Sequence, residues 1–188
     1  MNEKHIYNYL ERLGELLKVD ARQTGAEYGL LPVQLEVLHY LSACNRYSDT
    51  PMAVTEYLGQ TKGTVSQTIK VLEKKALVLK ETDRNDKRIS HLKVTPTGHK
   101  LINDHIPTNM FLDACNNLSK AQQKAVSVSL QLLLTSVIQS NNMKSFGVCG
   151  SCRYNLKNDD GSHFCTLVKE PLTDKEVQLI CREHKIID

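Results

Sequence analysis

The chain has 188 residues, of which 40% are hydrophobic and 24% charged, with a formal net charge of +3. This length suffices for one good core, with about 40 residues left for an appendage. No apolar run approaches the roughly 20 residues of a membrane span, and the charged N-terminal segment is unlike a secretory signal. We therefore expect a cytoplasmic protein, in which cysteines stay reduced and are more often metal ligands than disulfides.

The first third of the chain is patterned for helices. Apolar side chains recur at helical spacing at Ile6, Leu10, Leu13 and Leu17. This stripe predicts a first helix over about residues 3–26. Pro32 favours the start of a second helix, because the first turn of a helix leaves its amide hydrogens unpaired and proline has none.

Residues 51–75 carry the pattern of a helix-turn-helix. Pro51 opens a short helix, a turn follows at Gly59, and Thr61 is a plausible cap for a further helix that ends at Lys75. The outer face of this further helix is polar and basic, which suits contacts with bases and phosphates in a DNA groove. We predict DNA contacts from Thr61, Lys62, Gly63, Thr64, Ser66, Gln67 and Lys70.

A basic β-hairpin, or wing, is predicted directly after that helix, over about residues 78–94. Two strand-like stretches flank a polar loop at residues 83–88. We expect this loop to reach phosphates through Arg84, Lys87 and Arg88. Residues 60–93 hold nine Lys or Arg against four acidic residues, a local charge of +5 in a chain of total charge +3. Such a localised basic surface is typical of nucleic-acid binding, the alternative being an ordinary solvated face.

The remaining helices of the first 140 residues follow the wing. Pro96 begins a helix that extends to about Asn117, bent or interrupted at Pro107. Ser119 and Gln122 fit a capping box at the start of a last long helix. Its apolar stripe contains Val126, Leu130, Leu133 and Val137. The apolar arc is too wide for one small domain to cover, which favours burial against a second subunit over an internal core helix.

Residues 1–140 resemble the MarR family of bacterial winged-helix transcription regulators. The resemblance is most specific in the segments Leu72–Val78, Asp83–Arg88 and Leu92–Gly98. In the wing motif Asp-x-Arg-Asp-x-Arg of the family, Asp83, Asp86 and Arg88 match, while Asn85 replaces the first arginine and Arg84 stands beside it. Ala76 stands where the family usually has glycine.

This resemblance implies a mainly α fold, a winged helix-turn-helix with a helical dimerisation body over residues 1–140. It also implies a homodimer that binds a pseudo-palindromic operator in double-stranded DNA, mostly as a repressor. Many members are released by a small-molecule effector or by cysteine oxidation. We therefore expect a sequence-specific transcriptional regulator associated with the bacterial nucleoid.

Residues 141–188 extend beyond the family and form a small Cys-rich module with metal-ligating residue types. Cys149 and Cys152 are two residues apart, and Cys165, Cys181 and His184 follow. A two-residue spacer lets a tight turn direct both thiolates at one ion, and structural zinc takes four ligands. We predict zinc on the four cysteines, with His184 as an alternative ligand or a group behind the ligands.

An iron–sulfur cluster is the alternative cofactor, because four thiolates also hold such clusters. The spacing of the cysteines lacks the compact ferredoxin run, which favours zinc. Either cofactor leaves open whether the tail is structural or senses a redox or metal signal. Cys44 and Cys115 lie within helical patterns and are expected to be small buried residues.

Two further classes of function stand beside the DNA-binding regulator. One is a protein-interaction adaptor that docks through a zinc knuckle, and it would lack the salt dependence of DNA binding. The other is an enzyme that uses the tail metal. We expect no enzyme, because catalytic zinc keeps an open position and the sequence shows neither a phosphate-binding loop nor a nucleophile constellation.

Overall fold

The computed structural model describes residues 2–187 and is mainly helical, with two small antiparallel sheets. In chain order, the first 140 residues form α1 (Glu3–Glu27), α2 (Pro32–Ala43), α3 (Pro51–Leu58), α4 (Lys62–Lys74), β1 (Val78–Thr82), β2 (Ser90–Val94), α5 (Pro96–His105), α6 (Asn109–Asn116) and α7 (Lys120–Ser140). The remaining residues form β3 (Asn155–Lys157), β4 (His163–Cys165), β5 (Glu170–Leu172) and α8 (Asp174–Val177). This order confirms the predicted winged helix-turn-helix. None of the described helices is both long and apolar enough to cross a membrane.

The winged-helix lobe, formed by α2 to α5 with the hairpin, is built around α2. Leu35 and Leu38 of this helix pack in one apolar core with Val54 of α3, Leu72 of α4 and Leu92 of β2. Each of these five side chains is at most 1% exposed. The core therefore fixes both helices of the helix-turn-helix and the root of the wing on one scaffold.

A tight reversal connects α4 to β1. The amide of Leu77 donates to the carbonyl of Leu72, and the amide of Ala76 donates to that of Glu73. This pair of bonds is the Schellman arrangement, which requires a left-handed residue at the helix end. Ala76 occupies that position with φ of 55°, so the replacement of the family's usual glycine places a β-carbon in a conformation that disfavours it.

The predicted interruption at Pro107 is a complete break. Helix α5 ends at His105 and α6 begins only at Asn109, because proline has no amide hydrogen and its ring displaces the preceding turn. The capping box predicted for α7 is confirmed, since the side chains of Ser119 and Gln122 bond each other's backbone amides.

The helices outside the lobe leave their apolar faces uncovered. None of the described residues of α6 and α7 is buried. Leu130 is 46% exposed and Leu134 is 61% exposed, while Leu13 on α1 is 52% exposed. The alternative of an internal core helix is therefore wrong for α7 within one chain.

The cysteine-rich tail folds against the lobe. Strand β4 lies between β3 and β5 in an antiparallel sheet. Ile180, near the end of the tail, pairs with Cys44 at the end of α2 and with Val148. Phe146 lies edge-on to Tyr57 of α3, with ring centroids 5.2 Å apart. The tail thus contacts both α2 and α3.

Candidate nucleic-acid interface and cysteine cluster

Helix α4 presents one buried and one exposed face. Val65, Ile69 and Leu72 are buried in the core, and the oxygen of Thr61 caps the helix by accepting the amide of Thr64 at 3.1 Å. The opposite face exposes the seven residues predicted to contact DNA from this segment, namely Thr61, Lys62, Gly63, Thr64, Ser66, Gln67 and Lys70. The three predicted on the wing, Arg84, Lys87 and Arg88, are exposed as well. The outer face of α4 is therefore free to enter a major groove, as a recognition helix must.

An open groove of about 890 Å³ lies between α4 and the wing. Cations along it are Arg46, Lys62, Lys70, Lys80, Arg88 and Arg182. Arg46 and Arg182 were not predicted, and both are engaged by carboxylates: Arg46 with Glu176 at 2.6 Å, and Arg182 with Glu56 at 2.7 Å. Arg88 is likewise paired, with Asp86, so Lys62, Lys70 and Lys80 supply most of the positive charge that a phosphate would meet.

The acidic residues of the wing motif shape its tip. The carboxylate of Asp83 accepts the backbone amides of Asn85 and Asp86, each at 2.7 Å. These amides lower the pKa of Asp83. Asp86 pairs with Arg88 at 2.8 Å. Because Asn85 takes part in the turn through its backbone, the missing family arginine leaves the shape of the tip intact.

A buried carboxylate holds the root of the wing. Asp49 is 4% exposed and accepts bonds from His91 Nδ1 and Lys93 Nζ, each at 2.5 Å. Its backbone oxygen also accepts the amide of Leu92 at 2.7 Å. The hydrogen bond that His91 donates to Asp49 raises the pKa of His91, and a contact with Asp83 adds to this effect.

Sequence reasoning missed this cluster. Asp49 precedes the cap residue of α3, whereas His91 and Lys93 lie more than forty residues later on β2, two positions apart and on one face of the strand. The spacing of His91 and Lys93, two positions apart on a strand, was the one available signal. It indicates that their side chains share a face of the strand, but it does not identify Asp49 as their partner.

The structure brings the four predicted metal ligands to one cavity of about 20 Å³. Cys149 and Cys152 flank a 3-10 turn over Cys149–Ser151, Cys165 ends β4, and Cys181 follows the pairing at Ile180. All four cysteines line the cavity. Within residues 2–187, no group of three or more His, Cys, Asp or Glu side chains is positioned to hold a metal ion. The cysteines are therefore gathered together but not closed around a point.

Hydrogen bonds already reach these sulfurs. Asn45 Nδ2 donates to Cys149 Sγ at 3.2 Å, and the amide of Lys185 donates to Cys152 Sγ at 3.4 Å. A hydrogen bond between the thiols of Cys149 and Cys181 raises the pKa of Cys149 and lowers that of Cys181. The cluster thus contains donors of the kind that surround thiolates.

His184 lies apart from the cavity. Its Nδ1 is 2.6 Å from the hydroxyl of Ser145 and its Nε2 is 3.1 Å from that of Ser151. Burial lowers the pKa of His184. Among the described residues that line the cavity, His184 is absent. Its place is behind the turn that carries Cys149 and Cys152.

The two remaining cysteines differ from each other. Cys44 is 8% exposed, as predicted, and burial raises its pKa to about 12. Cys115 on α6 is only half-buried, so the expectation of burial is wrong for it within one chain. The cause is the uncovered face of α6.

Comparisons with known proteins agree with this geometry. Residues 28–89 match the MarR family model, whereas no curated protein sequence matches the chain. A Staphylococcus aureus MepR–DNA complex is 27% identical with a TM-score of 0.56, covering 69% of this chain and 97% of its own. S. aureus MepR in its DNA-binding conformation is 26% identical with a TM-score of 0.59, covering 70% and 98%. A MarR transcriptional regulator from Methanosarcina mazei Go1 shares the fold at 19% identity, with a TM-score of 0.63 and coverage of 73% and 99%.

Proposed function

Because this chain belongs to the MarR family of winged-helix transcriptional regulators, we propose that it is a homodimeric, sequence-specific repressor. It would bind a pseudo-palindromic operator in double-stranded DNA. Its place of action would be the bacterial cytoplasm, on the nucleoid, and its role would be regulatory rather than enzymatic.

The observation that carries the proposal is the pairing of an exposed polar helix with a basic groove. Gln67 and Lys70 stand on the outer face of α4, where side chains can pair with adenine and guanine edges. Lys80 and Arg88 border the adjoining groove, where cations would meet phosphates. MepR, which has this fold, is known bound to DNA.

The homodimer is supported by the faces that one chain leaves open. Most leucines and valines of α7 remain exposed, from Val126 to Val137, as do those of α1. Apolar patches of this extent usually mark an interface between subunits. A second copy of this chain would cover them and place two recognition helices about 34 Å apart, which matches half-sites one helical turn apart.

The signal that releases the repressor is proposed to be a small molecule or a redox or metal change. An adaptor that does not bind DNA gains less support. Its docking surface would not require lysines along a groove beside an exposed helix.

The test is to select duplexes from a random library with the purified protein and to measure affinity for the selected operator by fluorescence anisotropy at increasing salt. If the three basic residues of each wing neutralise phosphates, the slope of log K against log salt is roughly −5 for two lobes. Sedimentation velocity of the same sample gives the stoichiometry. Binding without sequence preference, or a slope near zero, would favour the adaptor.

A further inference from the structure

The cysteine-rich tail lies against the residues that connect α2 to α3. The backbone amide of Asn45 donates to the carbonyl of Ile180 at 2.9 Å, and the backbone amide of Ile180 donates to the carbonyl of Ala43 at 2.9 Å. The amide of Arg182 donates to the hydroxyl of Ser48 at 2.9 Å. Asn45 is 2% exposed and Ser48 is fully buried. The tail is thus joined to this connection partly through two buried side chains, those of Asn45 and Ser48.

The side chain of Asn45 is fixed at both ends. Its oxygen accepts the hydroxyl of Ser48 at 2.7 Å and the amide of Tyr47 at 3.1 Å. Its nitrogen is thereby oriented to donate to Cys149 Sγ at 3.2 Å. An oriented, buried N–H group directed at a ligand atom is the usual support behind a metal ligand.

The chemistry of the cavity selects the ion. Four cysteines line the cavity, together with apolar side chains such as Leu167 and Leu172 and with polar ones that include Asn45 and Glu183. Closed tetrahedral sites with four thiolates are typical of structural zinc, with Zn–S distances of about 2.3 Å. To hold the ion, the four sulfurs would have to move towards one point, because no such group of ligands is in place among the described residues.

We propose that Cys149, Cys152, Cys165 and Cys181 bind one zinc ion, and that this ion regulates DNA binding through Asn45. The second half of this inference rests on the proposed function. Zinc draws Cys149 into a fixed position, and Cys149 in turn fixes Asn45 and the connection from α2 to α3.

The connection leads directly to the DNA-contacting elements. Asp49, four residues after Asn45, holds Lys93 and His91 of the wing. Thr50 caps α3 by accepting the amide of Ala53 at 3.2 Å. A second route runs from Arg182, beside Cys181, to Glu56 on α3 at 2.7 Å. An ordered tail therefore constrains both α3 and the wing, and an ion that holds the four cysteines together would strengthen this constraint.

The first experiment measures metal in the full-length protein purified without air. We expect one zinc per chain, little zinc in Cys165→Ser, and retention in Cys165→His, which keeps a ligand. Cys115→Ser is the matched control and should retain one zinc. A protein without metal would overturn the site, as would a brown protein that contains iron and sulfide.

The second experiment tests the coupling by its reciprocity. If zinc strengthens operator binding by about fivefold or more, operator DNA must strengthen zinc binding by the same factor. Zinc affinity is measured by competition with a chromophoric chelator, with the selected operator and with a scrambled duplex. Asn45→Ala should weaken zinc binding about 10-fold or more and reduce the difference between the two duplexes.

The outcomes separate the two claims. Equal zinc affinity with operator and with scrambled duplex, in a protein that binds its operator, would overturn the regulation. Failure of both the zinc-bound and the zinc-free protein to bind any duplex would instead overturn the proposed function. In that case the stoichiometry of zinc would still decide the metal site.

Discussion

Replacement of Asp49 by asparagine tests how the wing is held. The substitution keeps the shape of the side chain and removes its charge, so His91 and Lys93 lose their common partner. The side chain of Asp49 is 6% exposed, that of His91 is 20% exposed and that of Lys93 is 42% exposed. Most of the effect should therefore come from His91, since solvent screens the lysine.

The expected loss of unfolding free energy depends on pH. Hydrogen bonds to charged groups contribute about 1.5–3 kcal/mol each, and exposed pairs about 1 kcal/mol or less. We expect Asp49→Asn to cost roughly 2–3 kcal/mol at pH 6 and roughly 1 kcal/mol at pH 8. In a chain of this size, the loss at pH 6 corresponds to about 4–12 °C in Tm.

The direction of the pH effect follows from His91. Its pKa is raised from the ordinary 6.5 by Asp49. The stabilisation from this pair is thus fully present below about pH 6.5, and it is lost as pH rises through the raised pKa. As pH rises from 6.5 through the raised pKa of His91, the wild-type protein should lose this part of its unfolding free energy. Asp49→Asn lacks the pair and should show no such loss.

The assay is urea unfolding at fixed protein concentration, at pH 6 and at pH 8, followed by circular dichroism. Asp104→Asn, an exposed charge change on α5, is the matched control and should shift stability little at either pH. An equal cost of Asp49→Asn at both pH values would refute the assignment to His91. A cost no larger than that of the control would refute the role of Asp49 altogether.

Four other substitutions probe the fold, the DNA interface and the dimer. Ala76→Gly should raise the unfolding free energy by about 1 kcal/mol in urea, because it relieves a left-handed alanine; a loss of stability would contradict the reading of that turn. Arg88→Ala should weaken binding to all duplexes by a similar factor, whereas Gln67→Ala should relax preference at one operator position by about 1–3 kcal/mol; anisotropy on a panel of operator variants separates them, and a uniform loss for Gln67→Ala would exclude it as a base reader. Leu130→Glu should shift sedimentation towards the monomer, since it places a charge in the proposed interface; an unchanged dimer would place the interface elsewhere.

The sequence predicted the helices and the wing because their signals are local. The periodic leucines of α1, the capping residue Thr61 and the capping box at Ser119 each act within a few residues of the element that they define. The same holds for the pair Cys149 and Cys152, whose spacing alone predicts a turn. These features lie within a residue or two of their predicted positions.

The parts that escaped prediction depend on contacts between distant segments. Nothing in the residues around Asn45 indicates that its amide reaches a sulfur 104 residues later. His184 has the spacing of a ligand, yet its two nitrogens contact serines that no pattern singled out. The left-handed conformation of Ala76 is likewise set by the packing of α4 on the lobe, and the residue type alone would have argued against it.

Helix α7 returns to the lobe through a short, firmly held segment. Lys144, four residues after the end of α7, pairs with Glu56 at 2.7 Å, and Phe146 packs on Tyr57. In the proposed dimer, each lobe is thus tethered to the central helices at three places: before α2, after α5 and after α7. A lobe held at three places tilts less relative to the central helices than a lobe held at two. Tolerance for altered spacing between the operator half-sites should therefore be narrow, and stretches of DNA whose half-sites differ by a single base pair in separation should be distinguished by geometry as well as by sequence.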